Sequence, residues 1–323
     1  MRDSRLATSR GEAVVSPLSG LTGAEVTGVD ISQPLSPEDL QTIDEALLRW
    51  KVVFFRDQTL DHSSQIVFGR QFGELTYSHP HDDDPPCGFP EIYVVDRRRE
   101  QFGIRPEEAT RIPKYHDSND WHTDMTFLVN PPNGSILRAD VVPPYGGDTM
   151  FTNLVAAYNA LADPVQRLLE SLRAEHFTGA RYNLRERSRT FEANVGKTRL
   201  VAHHPVVRVH PRTGEKALFV NPGFTDRILD VSPLESRWIL EFLFDHISRP
   251  EFTVRFKWAP GSVAFWDNRA TAHLPPQDLE QVDGSERVFY RVTLVGQVPV
   301  GPDGRESELI EGTPFLAAPV LTN

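Results

Sequence analysis

The chain has a single cysteine, Cys87, among its 323 residues. That excludes an intrachain disulfide framework and a thiolate zinc cluster. It also makes a reducing cytoplasm the simplest compartment. No apolar run approaches the roughly 20 residues of a membrane span. The opening stretch, "MRDSRLATSRGEAVV", lacks the apolar core of a secretion signal. Positive charge is in short supply too: 34 Lys and Arg against 45 Asp and Glu leave a net charge of −11. Such a surface repels nucleic-acid phosphates. Small molecules or other protein chains remain as partners. What is present is ordinary for a globular protein, with 39% hydrophobic and 24% charged residues.

The length suits one large domain or two small ones. Residues 1–11 are polar and read as a flexible N-terminus, 12–300 as one domain, and 301–323 as a tail of little periodicity, a candidate oligomer contact. "SPEDLQTIDEALLRW" predicts a helix capped by Ser36, with Pro37 at its first position and Leu40, Ile43, Leu47 and Trp50 on one face. "KVVFFRDQ" reads as a buried strand, and a second helix spans about 61–72. Residues 76–120 are rich in Pro, Gly and charge, with only "EIYVV" strand-like. So long a connection inside a domain reads as a lid over a site. Short strands dominate later, in "GSILRADVV", "LVAHHPVVRV", "ALFVN", "FTVRFKW", "SVAFWD" and "VFYRVTLVG". A helix pair over about 154–175, broken at Asp163–Pro164, and a helix over about 233–247, opened by the capping box "SPLE", interrupt them. The fold class is mainly β with flanking helices, a sandwich or barrel.

"WHTDMTF" carries the first chemical signal. In an extended strand, His122 and Asp124 point the same way, about 7 Å apart. A metal site needs a third ligand. His176 and His246 read as lying near helix ends, His203 and His204 in a strand, and His210 in a turn; each is more simply a core or surface histidine. His273 differs, since it ends "WDNRATAH", a strand and a tight polar turn, 273 − 122 = 151 residues downstream. "GGDTMF" places Thr149 after a turn. "RVFYRV" places Arg287 and Arg291 on one strand face. Inward guanidiniums are costly unless they meet anions, so the pair predicts buried anionic ligands or internal carboxylate partners.

This order of motifs, from "VVFFRDQ" through "FGEL", "WHTDMTF", "PPNGSILRADVVPPYGGDTMF", "HPVVRVHPRTGEKALFVNPGFT" and "WDNRATAH" to "RVTLVG", resembles the taurine dioxygenase (TauD/TfdA) family. The resemblance implies a double-stranded β-helix (jelly-roll) core and an Fe(II)- and 2-oxoglutarate-dependent dioxygenase that consumes O2. It also implies release of succinate and CO2, with oxidation of a small anionic substrate by hydroxylation or hydroxylation-driven cleavage. Carried over residue by residue, His122, Asp124 and His273 match the iron ligands. Thr149 and Arg287 match the residues that bind 2-oxoglutarate, and Arg291 the arginine for the substrate's anionic group. Phe224 and Tyr182 fall where the family lines its substrate pocket, and His79 or His81 stands for a substrate-binding histidine. Ser118 stands where the taurine enzyme carries an amide, which argues against taurine itself. Two other readings use the same residues: a zinc hydrolase with this His/Asp/His site, and a non-catalytic jelly-roll binding protein.

Overall fold

The computed structural model describes residues 12–81, 85–96, 121–178, 199–275, 278 and 286–318. Its centre is a seven-stranded sheet. In spatial order the strands are β1 (Val14–Pro17), β2 (Ala24–Thr27), β3 (Val52–Phe55), β13 (Val263–Asp267), β5 (Gly134–Val141), β15 (Val288–Thr293) and β4 (Tyr93–Asp96). A three-stranded sheet, β12 (Thr253–Phe256), β6 (Thr149–Asn153) and β14 (Thr271–Leu274), supplies the facing layer. Phe54, Phe151, Phe256, Trp266 and Phe289 fill the space between them. Phe54 and Phe256 stack with ring centroids 3.9 Å apart.

β3 is buried along its whole length, as an unbroken apolar run requires. Val52 and Phe54 face the inter-sheet core, while Val53 and Phe55 face the helices. Those helices are α1 (Pro37–Trp50) and α2 (His62–Arg70). α1 begins where its sequence predicts: the Ser36 hydroxyl accepts from the Asp39 N–H, and Ile43 and Leu47 are buried. A second pair of sheets extends the fold. β11 (Thr225–Ile228), β7 (Arg173–Phe177), β8 (Val201–Pro205) and β16 (Glu308–Glu311) form one, and β9 (Val207–Val209) with β10 (Lys216–Leu218) forms the other. Helices α3 (Leu154–Asn159), α4 (Asp163–Glu170) and α5 (Pro233–Ile247) flank them. α5 carries the predicted capping box between Ser232 and Glu235. No described helix is long and apolar enough to cross a membrane.

Three local expectations are corrected. The helix expected to reach 175 ends at Glu170, and 173–177 is strand β7, held between β11 and β8. His176 therefore lies inside a sheet, not at a helix end. "WHTDMTF" is not a strand: His122 makes one isolated bridge, and the chain then turns, with Met125 at φ 50°. The tail does not stand apart, since β16 pairs with β8 and the Ala318 N–H donates to the Leu75 carbonyl. Most of the 76–120 segment, from 97 onward, lies outside the described residues.

Candidate active site

His122 and His273 meet across the isolated antiparallel bridge, through reciprocal N–H···O bonds of 2.9 and 2.8 Å. Their ring centroids lie 4.2 Å apart. The turn after His122 brings the Asp124 carboxylate up to the same point. One ligand atom from each of the three residues lies within 4.8 Å of the others. His273 is seated between Trp266, 4.9 Å away, and Phe151, 6.0 Å away. Asp124 is only 3% exposed. The Ser135 hydroxyl donates to its Oδ2 at 2.6 Å, and Ser135 in turn accepts from the Asn268 amide at 2.8 Å. Its Oδ1 accepts from Arg291 Nη1 at 2.6 Å and lies 4.0 Å from His273 Nε2. Burial alone raises a carboxyl pKa, but Arg291, then the two imidazoles and Ser135, outweigh it and hold Asp124 below the usual carboxylate range. Two imidazoles and an ionised carboxylate form a donor set that suits a divalent first-row metal and leaves coordination positions open.

Thr149 and Arg287 converge beside this cluster. Gly146 and Gly147 adopt φ of 76° and 68°, a left-handed pair that glycine alone takes without strain, and so deliver Thr149 to the start of β6. The Thr149 hydroxyl is buried and accepts from the Trp258 indole N–H at 2.9 Å. Arg287 is half-buried just ahead of β15. Its Nε donates to the Gly147 carbonyl at 3.3 Å and its guanidinium stacks on Phe289 at 3.9 Å. The turn is braced from outside by Arg255, which pairs with Asp148 at 2.7 Å and Asp278 at 2.8 Å.

Aromatic side chains adjoin the cluster. Phe224 approaches His122 at 5.9 Å and Phe127 at 5.0 Å, both edge to face. His79 lies 5.2 Å from Tyr93, and Tyr93 underlies the Arg291 guanidinium at 4.9 Å. His81 is buried against Phe127. Tyr182 and Ser118 lie outside the described residues. Contacts thus link His122, Asp124, His273, Arg291 and Phe224, and Tyr93 joins His79 to Arg291.

Several residues carry the site without a signal in the sequence. Trp258 and Tyr93 are two. Another group lies beneath the 121–128 turn. Asn221 donates from its amide to the Thr126 hydroxyl at 3.1 Å and accepts the Phe224 N–H at 2.9 Å. His176 Nδ1 sits 2.9 Å from that same hydroxyl, and His204 Nε2 sits 2.7 Å from the Thr126 carbonyl. Both histidines are held neutral, chiefly by burial: His176 falls well below its ordinary pKa, and His204 is lowered to about 3. Asp267 and Arg269, inside the quoted "WDNRATAH", form a buried pair at 2.7 Å that His210 completes at 2.9 Å.

A jelly roll that carries a His/Asp/His cluster is the architecture of a metal-dependent oxygenase. The chain belongs to the taurine catabolism dioxygenase TauD, TfdA family, whose model matches residues 15–293. It is an α-ketoglutarate (2-oxoglutarate)-dependent dioxygenase, an oxidoreductase. An α-ketoglutarate-dependent sulfate ester dioxygenase of Pseudomonas putida is 39% identical over 308 residues, 92% of this chain and 94% of that protein. An alkylsulfatase of Acinetobacter baylyi is 34% identical over 89% of this chain and 86% of its own length. A crystal structure of a taurine dioxygenase from Burkholderia xenovorans superposes with a TM-score of 0.79, at 47% identity, covering 94% of this chain and 96% of that one.

Proposed function

We propose that the protein oxidises a small organic sulfate, with iron(II) held by His122, Asp124 and His273 and 2-oxoglutarate held by Thr149 and Arg287. The observation that carries the reading is the buried Arg291 guanidinium beside the ligand cluster, 8% exposed, whose Nε has no acceptor among the described residues. Its Nη1 is already paired with Asp124, so the unmatched Nε is the donor that a substrate's anion would meet. Two relatives named for sulfate esters and alkyl sulfates support a sulfate head group.

Iron, 2-oxoglutarate and O2 together supply the oxidant: one oxygen atom goes to the substrate, and the co-substrate leaves as succinate and CO2. The chain's own residues bind, orient and exclude water. Arg287 offers a planar fork to the remote carboxylate of the co-substrate. Thr149 adds a hydroxyl donor to that carboxylate, because Trp258 already occupies a lone pair on its oxygen. Arg291 holds the sulfate. His79 stands on the same side, in tilted contact with Tyr93, which also meets Arg291. Phe224 and Phe127 line the space for the alkyl chain. Hydroxylation of the carbon that bears the ester oxygen gives a species that collapses to an aldehyde and inorganic sulfate.

The test is succinate release from 2-oxoglutarate in the presence of alkyl sulfates, with aldehyde and sulfate measured in parallel. Stoichiometric succinate, aldehyde and sulfate are expected, with taurine a poor substrate. Release of sulfate without succinate points to the hydrolase reading. Succinate driven by carboxylates or sulfonates but not by sulfates overturns the head-group assignment.

A further inference from the structure

Asp124 presents its two oxygens to different partners. Oδ2 is tied to Ser135, and Ser135 to Asn268, so the carboxylate plane is set from that side. Oδ1 is the oxygen that faces His273, at 4.0 Å, and it is also the one gripped by Arg291 at 2.6 Å. A divalent cation held by the three candidate ligands through Oδ1 would therefore share that carboxylate oxygen with a guanidinium. The guanidinium is nearly buried and cannot be swept into water, because it lies over Tyr93 at 4.9 Å on strand β15. Its remaining buried donor, Nε, has no acceptor among the described residues.

We propose that Arg291 couples metal binding to anion binding: it opposes the cation at Asp124 until an anionic head group neutralises it. The inference rests on the proposed function for the site's location, and goes beyond it in assigning Arg291 an effect on the metal. Its physical basis is like-charge repulsion at short range in a poorly screened site. An anion on Arg291 offsets its charge and draws hydrogen-bonding away from Asp124 Oδ1, which leaves that oxygen a better ligand. The coupling is reciprocal by linkage, so the metal also tightens anion binding by the same factor. A site built this way fills its metal and substrate positions together. Arg291 acts here as a positioning residue, through Asp124.

The experiment is a Mn(II) titration followed by the electron paramagnetic resonance signal of free Mn(II), without 2-oxoglutarate or O2, so that nothing turns over. Methyl sulfate is the anion probe, with chloride at equal ionic strength as control. In the full-length wild-type chain, saturating methyl sulfate is expected to lower the Mn(II) Kd about 5- to 10-fold, within the usual range of coupling between sites. Arg291→Gln should bind Mn(II) about tenfold more tightly than wild type without the probe, and respond less than twofold to it. Arg291→Lys keeps the charge and should keep the weaker Mn(II) affinity. A wild-type Kd that ignores methyl sulfate overturns the proposal, as does an Arg291→Gln variant with native circular dichroism that binds Mn(II) no more tightly. Should Arg291→Gln fail to fold, the wild-type comparison decides alone. Asp124→Ala separates the two levels. Unchanged Mn(II) binding in that variant removes the metal site and the proposed function. Lost binding in that variant with native circular dichroism retained, together with methyl sulfate insensitivity in wild type, leaves the function standing and the coupling refuted.

Discussion

The indole nitrogen of Trp258 donates to the hydroxyl oxygen of Thr149 at 2.9 Å, in a fully buried contact. A hydroxyl that accepts from a fixed N–H has its own proton directed elsewhere, and the pocket side is where an acceptor is needed. Thr149→Ala should raise the 2-oxoglutarate KM about tenfold, for the loss of one donor. Trp258→Phe should raise it severalfold, since the donor remains but is no longer oriented. Arg287 is only half-buried, and solvent screening reduces its effect below that of a fully desolvated pair. Arg287→Ala should therefore cost about 10- to 100-fold in the same titration of succinate formation. An unchanged KM in Arg287→Ala would place the co-substrate carboxylate elsewhere.

Gly223 supports His122 from behind. A Cβ added there meets the His122 Cβ at 2.8 Å, a distance that forces one of them to move. The Gly223 N–H also donates to the Trp121 carbonyl at 3.3 Å, so the loop has little freedom to retreat. Gly223→Ala should displace the imidazole and weaken Mn(II) binding by at least tenfold, with Tm falling by only a few degrees. Calorimetry and metal titration of one preparation check both. Wild-type metal affinity in this variant would show that His122 is not a ligand or that the loop yields freely.

Much of this architecture is legible in the chain because local and tertiary signals agree. Ser36 with Pro37, and Ser232 with Glu235, announce α1 and α5, and both helices start there. The runs that became β3 and β13 are almost wholly apolar because both faces are covered. β7 is not legible: Arg173–Phe177 continues a helical pattern and is a strand only because β11 and β8 flank it. His122 and Asp124 stand out as a pair, yet strand alternation is not what unites them. A turn through Met125 does so, and His273 arrives through a two-residue bridge. The Arg291–Asp124 contact depends on how β15 is placed against that turn, which no spacing encodes. Trp258 gives no local signal, because its partner Thr149 is 258 − 149 = 109 residues away in sequence.

His176 and His204 make stability depend on pH. Their folded pKa values lie below the ordinary 6.5, far below for His176 and at about 3 for His204. The chief cause is burial; Arg208 and Arg173 add to it at His204, and His203 and His204 at His176. A depressed pKa means that the unfolded chain takes up protons first as pH falls. The stabilisation is therefore complete above about pH 6.5 and is lost below it, by up to about 1.4 kcal/mol per pH unit for each histidine. Between pH 6.5 and 5 this amounts to roughly 2 kcal/mol for His204, and His176 acts in the same direction. The depressed carboxylates, such as Asp267, lose their contribution only at more acidic pH, below their ordinary 3.8. Urea unfolding at pH 7.5 and 5.0 should show the difference, and His204→Gln should reduce it. A stability independent of pH across that interval would mean that both rings are open to water.

Asp124 and Arg291 should also behave as a unit in stability, apart from any ligand. Both are buried, at 3% and 8% exposure, and they are joined at 2.6 Å. Removing the carboxylate alone leaves a buried guanidinium without its main acceptor, a loss of about 3–5 kcal/mol. Asp124→Ala should therefore be severely destabilised, and its lack of turnover has to be read together with its unfolding curve. Removing both charges is a different perturbation. Asp124→Ala/Arg291→Met abolishes the desolvated ion, and Met fills part of the space beside Tyr93. Ser135 then lacks its acceptor at Oδ2, a cost of about 1 kcal/mol. The double variant should recover most of the single variant's loss and fall within about 2 kcal/mol of wild type. Urea denaturation with a chelator present, carried through all four members of the cycle, gives the interaction energy directly. A strictly additive cycle would show that the pair is solvated or broken in solution, and the short contact at Asp124 Oδ1 would then have no bearing on how the site takes up its metal.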